Sequence, residues 1–158
     1  MQKVWKRDDA SARNAKVQGV LVAVGNNDLD TSVIKAACML SKGSKRPIYA
    51  VHVIEMPWTR AVDEAPEGQE VVQADLVLQR AVEAAAASGV KLEPDLLQAR
   101  TAGAAIVDEA TARDCNLILL GLPYKRLHGA CTLGDTVPYV LEHSPIEVWV
   151  IRGAPPQA

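Results

Sequence analysis

Two aliphatic runs constrain this chain most, because neither contains a polar residue: Val20-Leu21-Val22-Ala23-Val24 and Leu117-Ile118-Leu119-Leu120. A strand with one wet face alternates polar and apolar residues. An unbroken run needs cover on both faces, as in the centre of a parallel sheet. Both runs fall well short of the roughly 18 residues of a membrane span. Ile48-Tyr49-Ala50-Val51-His52-Val53-Ile54 is a third such run, interrupted only by His52. Weaker strands are read at 91–99, which holds Pro94, and at 146–151. Proline cannot donate to a strand ladder, so 91–99 belongs at an edge.

Helical spacing fills the intervals. Asp30 or Thr31 can cap a helix with Val33, Ile34, Ala37, Cys38 and Leu40 on one side, ending near Gly43. The stretch 55–69 reads as a long loop. Residues 70–88 align Ala74, Leu78, Ala81, Val82 and Ala85 and stop at Gly89. A helix over 103–113 turns Ala105, Ile106 and Ala110 inward, and one over about 134–143 turns Val137, Val140 and Leu141 inward. Pro138 is tolerated there because a first helical turn has free N–H groups anyway. Strand and helix alternate throughout. The prediction is an α/β fold: a single doubly wound five-stranded parallel sheet, order 3-2-1-4-5, with helices on both faces. The domain spans 17–152, residues 1–16 read as a flexible arm or linker, and 153–158 as a tail.

Composition narrows the function classes. The net charge of −2 argues against a general nucleic-acid binder, and the 49% apolar content supports a real core. The N-terminus lacks the apolar segment of a signal peptide, which predicts a cytoplasmic protein. Cys38, Cys115 and Cys131 are odd in number and widely spaced, so neither a disulfide framework nor a metal site is expected. Cys38 and Cys115 read as core residues, and Cys131 as a loop thiol.

In such a sheet, ligands bind past the carboxyl ends of the strands where the strand order reverses, here between the first and fourth strands. Two loops meet there. The first contributes Gly25, Asn26 and Asn27. The second runs through Gly121, Pro123, Lys125, Arg126 and Gly134 to a helix start at Asp135, Thr136 and Val137. Glycines admit a phosphate to the backbone, the helix end adds partial positive charge, and Lys125, Arg126 and His128 are cationic or can become so. Glycines between strand and helix are also ordinary turn residues, so a plain turn stands as the alternative. No catalytic set emerges: His52 reads as a hydrogen-bonded strand histidine, and neither a P-loop nor a G-x-S-x-G turn occurs.

Residues 17–152 resemble the universal stress protein domain. Gly121 and Gly134 match the outer glycines of the family's G-x2-G-x9-G-(S/T) signature, and 136–145 with 148–152 follow its closing helix and strand. Three positions depart from the pattern. Tyr124 replaces the second glycine and is expected to crowd a polyphosphate. Asp135 replaces the phosphate-binding Ser or Thr; it would repel a polyphosphate, and its simplest role is a helix N-cap. Gly25 replaces the acid that ends the first strand. The resemblance implies a non-catalytic regulatory or sensory domain taking an adenine nucleotide, with AMP, ATP or cyclic di-AMP as candidates. The base would lie on Val51 and Val53 and the phosphate near Gly134.

His52-Val53-Ile54-Glu55-Met56-Pro57-Trp58 and Gly121-Leu122-Pro123-Tyr124-Lys125-Arg126 resemble, more narrowly, universal stress domains attached to the cytoplasmic end of amino-acid permeases. That resemblance implies a permease partner. Lys3, Trp5, Lys6 and Arg7 suit a position at the cytoplasmic membrane face. Two alternatives stand: an adenine-nucleotide hydrolase holding Mg²⁺ on Asp28 and Asp135, and a dimerising module with an empty vestigial site. The apolar 146–151 strand is expected at a sheet edge, where the family commonly pairs two copies into a homodimer.

Overall fold

Every run read as a strand is one. A computed structural model describes residues 18–157; the arm read at 1–16 and the last tail residue, Ala158, lie outside the described residues. The elements are β1 (Val20–Ala23), α1 (Asp30–Leu40), β2 (Ile48–Glu55), α2 (Gly68–Ala87), β3 (Leu92–Ala99), α3 (Ala102–Ala112) and β4 (Leu117–Leu122). A two-stranded hairpin follows, β5 (Arg126–Leu127) and β6 (Ala130–Cys131), and then α4 (Thr136–His143) and β7 (Glu147–Arg152). The main sheet is parallel, with order β3-β2-β1-β4-β7. This is the expected topology, with the small hairpin inserted before the last strand.

The unbroken runs lie where both sheet faces are covered. On one face Val20, Val22, Ile48, Ala50, Leu117 and Leu119 pack with α1 and α2. On the other, Leu21, Val51, Ile118 and Leu120 pack with α3 and α4. Leu21, Ile34, Ile48, Ile106, Ile118 and Leu119 have almost no exposure. Burial of each such side chain is worth roughly 1.5–3 kcal/mol. Leu141, expected to face inward, is 54% exposed; Val137 and Val140 already fill the narrow contact of this two-turn helix with the sheet.

The two edges differ. Met56 N–H donates to the Ala99 carbonyl at 2.7 Å, so the odd-numbered residues of β3 face β2 and Pro94 faces outward. Its missing N–H therefore costs no ladder bond. On β7, Gly153 N–H donates to the Leu122 carbonyl at 2.8 Å, which turns the backbone groups of Val148 and Val150 toward the open edge.

The first loop departs from expectation. Leu29, not Asp30 or Thr31, occupies the α1 N-cap, with no side-chain cap. The Asp30 carboxylate instead accepts the Gly25 and Asn27 N–H groups, each at 3.1 Å. It closes the loop that ends β1 rather than starting the helix.

Candidate functional site

β1 ends at Ala23, while β2 continues to Glu55. Val24 N–H donates to the Val51 carbonyl at 2.9 Å; beyond this point the chain turns away from the sheet. Odd-numbered β2 residues face β1, so the Val53 N–H and C=O point into the space β1 vacates. A cleft of about 350 Å³ occupies that space, within the range of small-molecule sites. Val51, Val53, Ile106, Leu120 and Val137 give it an apolar lining, and Gly25, Asn27, His52, Glu55, Gly121 and Thr136 complete its walls. A recess of about 200 Å³ adjoins it and shares Gly121, Thr136 and Val137. Pro123, Lys125, Thr132, Gly134 and Asp135 line the recess.

The structure thus gathers eleven of the thirteen predicted site residues. Asn26 turns away: it adopts φ 60° and its side-chain oxygen accepts from Arg80 at 3.1 Å. Arg126 folds back on its own hairpin and donates to the Gly129 carbonyl at 3.0 Å. Tyr124 does not crowd the recess as expected. Its ring receives the Arg152 guanidinium at 5.4 Å, on the β7 side. Gly121 has a packing reason to be glycine, since a Cβ there would lie 3.1 Å from Val33 Cγ2 and 3.3 Å from Leu29 Cβ.

Seven residues lining the cleft escaped the sequence reading as site residues: Ala23, Val24, His52, Glu55, Ala102, Ile106 and Leu120. His52 Nδ1 lies 2.8 Å from the Val24 carbonyl. A carbonyl only accepts, so Nδ1 carries the proton and a neutral ring leaves Nε2 as an acceptor. Glu55 Oε1 accepts the Ala102 N–H at 2.6 Å and so occupies the N-terminus of α3. Asp135 holds the N-cap position of α4, but its side chain makes no capping bond, against the expectation that it caps. Each helix start facing the cleft thus already has its own carboxylate, and among the described residues Lys125 is the one cation lining the cleft or its recess. Asp28, the other proposed Mg²⁺ ligand, lines neither. Among the described residues, no cluster of His, Cys, Asp and Glu is arranged to hold a metal.

Comparison with known proteins agrees with this architecture. The sequence matches the universal stress protein family over residues 16–152. A universal stress protein from Archaeoglobus fulgidus superposes with a TM-score of 0.71 at 21% identity, covering 84% of this chain and 97% of that one. The structure of the Archaeoglobus fulgidus universal stress protein in complex with dAMP gives 0.68 at 21% identity, covering 85% and 98%. A universal stress protein in complex with cAMP gives 0.66 at 18% identity, covering 87% and 98%. No curated protein matches the sequence significantly.

Proposed function

The chain belongs to the universal stress protein family, and on that footing we propose that it is a non-catalytic sensory domain binding an adenine nucleoside or singly phosphorylated nucleotide. The carrying observation is the exit of β2. Val53 presents a backbone donor and acceptor, side by side, into a cleft with an apolar lining. Adenine offers the complementary pair on one edge, a ring nitrogen that accepts and an amino group that donates. The sugar would then lie over Gly121 and the phosphate toward Gly134 and Lys125, where the recess continues the cleft. Family neighbours in complex with dAMP and cAMP support the same ligand class.

Charge sets the phosphate number. Asp135 and Glu55 already stand at the two helix starts, so a triphosphate would meet repulsion with little cation to offset it. Asp135 lines the recess while Asp28 lines neither it nor the cleft, which favours binding over metal-assisted hydrolysis. The signal would pass to a partner through a homodimer paired at β7, and the sequence of the β2 exit favours an amino-acid permease at the cytoplasmic membrane face as that partner.

Calorimetry with adenosine, AMP, cyclic di-AMP and ATP tests the reading. Adenosine or AMP should bind more tightly than ATP, and no phosphate should be released from ATP with Mg²⁺. Val53→Pro removes one donor that faces the cleft while sparing the β2–β3 ladder, and should abolish binding. Unchanged AMP affinity in a folded Val53→Pro variant would overturn the base placement.

A further inference from the structure

Asn27, in the loop that ends β1, is half-buried and held in place by its neighbours. Its N–H donates to the Asp30 carboxylate at 3.1 Å, and its carbonyl accepts the Asp30 N–H at 3.1 Å. Its side-chain Oδ1 accepts the Leu29 N–H at 2.9 Å. That last bond identifies the other amide atom as the nitrogen Nδ2, which can only donate. Among the described residues no protein group accepts from Nδ2. It lies 3.2 Å from where a Cβ at Gly25 would stand, so glycine at that position leaves the amide its room. Both residues line the cleft.

The loop offers the cleft this donor and no uncommitted acceptor. Asn26 is turned to Arg80, and Asp28 lines neither the cleft nor its recess. Both oxygens of Asp30 already accept backbone N–H groups. The loop also adjoins the sugar position, since Leu29 Cβ lies 3.3 Å from where a Cβ at Gly121 would stand.

The next step rests on the nucleotide reading given above. A base on Val53 turns C1′ toward β2, and a phosphate near Gly134 turns C5′ toward α4. β1 lies between β2 and β4 in the sheet, so the sugar edge carrying C2′ and C3′ is left to the β1 loop. A free 3′-hydroxyl there needs an acceptor for its proton. An esterified 3′-oxygen and its phosphate need only donors.

We propose that Asn27 selects a 3′,5′-cyclic monophosphate of adenosine, with the phosphate spanning from the Asn27 amide to the recess. Charge points the same way. A cyclic phosphodiester carries a single negative charge, whereas the phosphomonoester of 5′-AMP carries about −1.5 to −2 at neutral pH. Lys125 can match one charge, and any further charge would face Asp135 in the same recess.

Calorimetry on the full chain tests this with adenosine, 5′-AMP and adenosine 3′,5′-cyclic monophosphate. The cyclic ester should bind the parent at least roughly fivefold more tightly than 5′-AMP. Asn27→Asp keeps an oxygen for the Leu29 N–H but replaces the donor by a carboxylate. The ratio of cyclic-ester to adenosine affinity should then fall on the order of 30-fold. Asn27→Ala removes the donor without adding charge, and the ratio should fall on the order of tenfold. Urea denaturation checks that each variant is folded, and either folded variant suffices for the comparison. A parent that binds adenosine but prefers 5′-AMP to the cyclic ester overturns the inference and leaves the base placement standing. So does an affinity ratio that a folded variant leaves unchanged. A parent that binds none of the three compounds overturns the base placement and the inference together.

Discussion

Replacing Gly103 by alanine should loosen the α3–α4 wall of the cleft. A Cβ at Gly103 would lie 2.7 Å from Tyr139 Cδ1 and 2.9 Å from its Cγ and Cβ. The ring atoms can move aside by rotation about χ1, at the cost of the stack on His143, whose ring centroid lies 4.1 Å away. The Tyr139 Cβ has no such freedom, because it moves only with the α4 backbone. Helix propensity favours alanine by about 1 kcal/mol, and forced overpacking costs roughly 1–3 kcal/mol. The net expectation is a loss of up to about 2 kcal/mol, or a Tm lower by up to roughly 8 °C. Urea denaturation measures the loss directly. Adding Tyr139→Ala removes the ring overlaps but keeps the Cβ overlap, so the cost of Gly103→Ala should shrink without vanishing. Ala102, Ile106, Thr136 and Val137 line the cleft from these two helices, so AMP affinity should fall with stability. A Gly103→Ala variant at least as stable as the parent would refute the close-packing argument.

Asp135→Asn should strengthen ATP binding at least roughly fivefold while changing adenosine binding little, as read by calorimetry. Val150→Pro removes a donor on the open edge of β7 and should convert a dimer to a monomer in light scattering; a parent chain already monomeric at high micromolar concentration would defeat the pairing. Iodoacetamide should label Cys131, which is exposed, and spare Cys38 and Cys115 until the chain unfolds. Burial holds both of those thiols above their ordinary pKa. The folded state therefore retains their protons longer than the unfolded state does. Their contribution to stability is complete below the ordinary thiol range and lost as pH rises through it, which denaturant titrations at neutral and alkaline pH should register.

The strand order was legible because burial on both faces leaves its mark on every residue of a run. Leu117-Ile118-Leu119-Leu120 could lie only in the middle of the sheet, and Pro94 only at its edge. Backbone glycines marked the cleft loops for the same local reason. Glu55 and Ala102 were not legible as neighbours. They meet across 47 positions of sequence, through a carboxylate bond that no local pattern announces. Tyr124 failed in the opposite direction: its position in a motif pointed to the phosphate end, and a distant cation, Arg152, drew its ring away. Asp30 looked like a helix cap because it precedes an amphipathic stretch. The two N–H groups left by the turn at Gly25 and Asn27 were the nearer demand.

Pro94 faces outward from β3, while the open edge of β7 carries the full donor complement of Val148 and Val150. A sheet with two receptive edges can add copies without limit, each new chain offering a fresh edge to the next. Here one border of the sheet lacks a donor where an incoming strand would need it. In the proposed homodimer, two copies joined antiparallel at the other border would leave only their proline-bearing borders outside. In that proposed dimer Pro94 would hinder further growth from the outer borders, at a residue far from the surface that would do the joining.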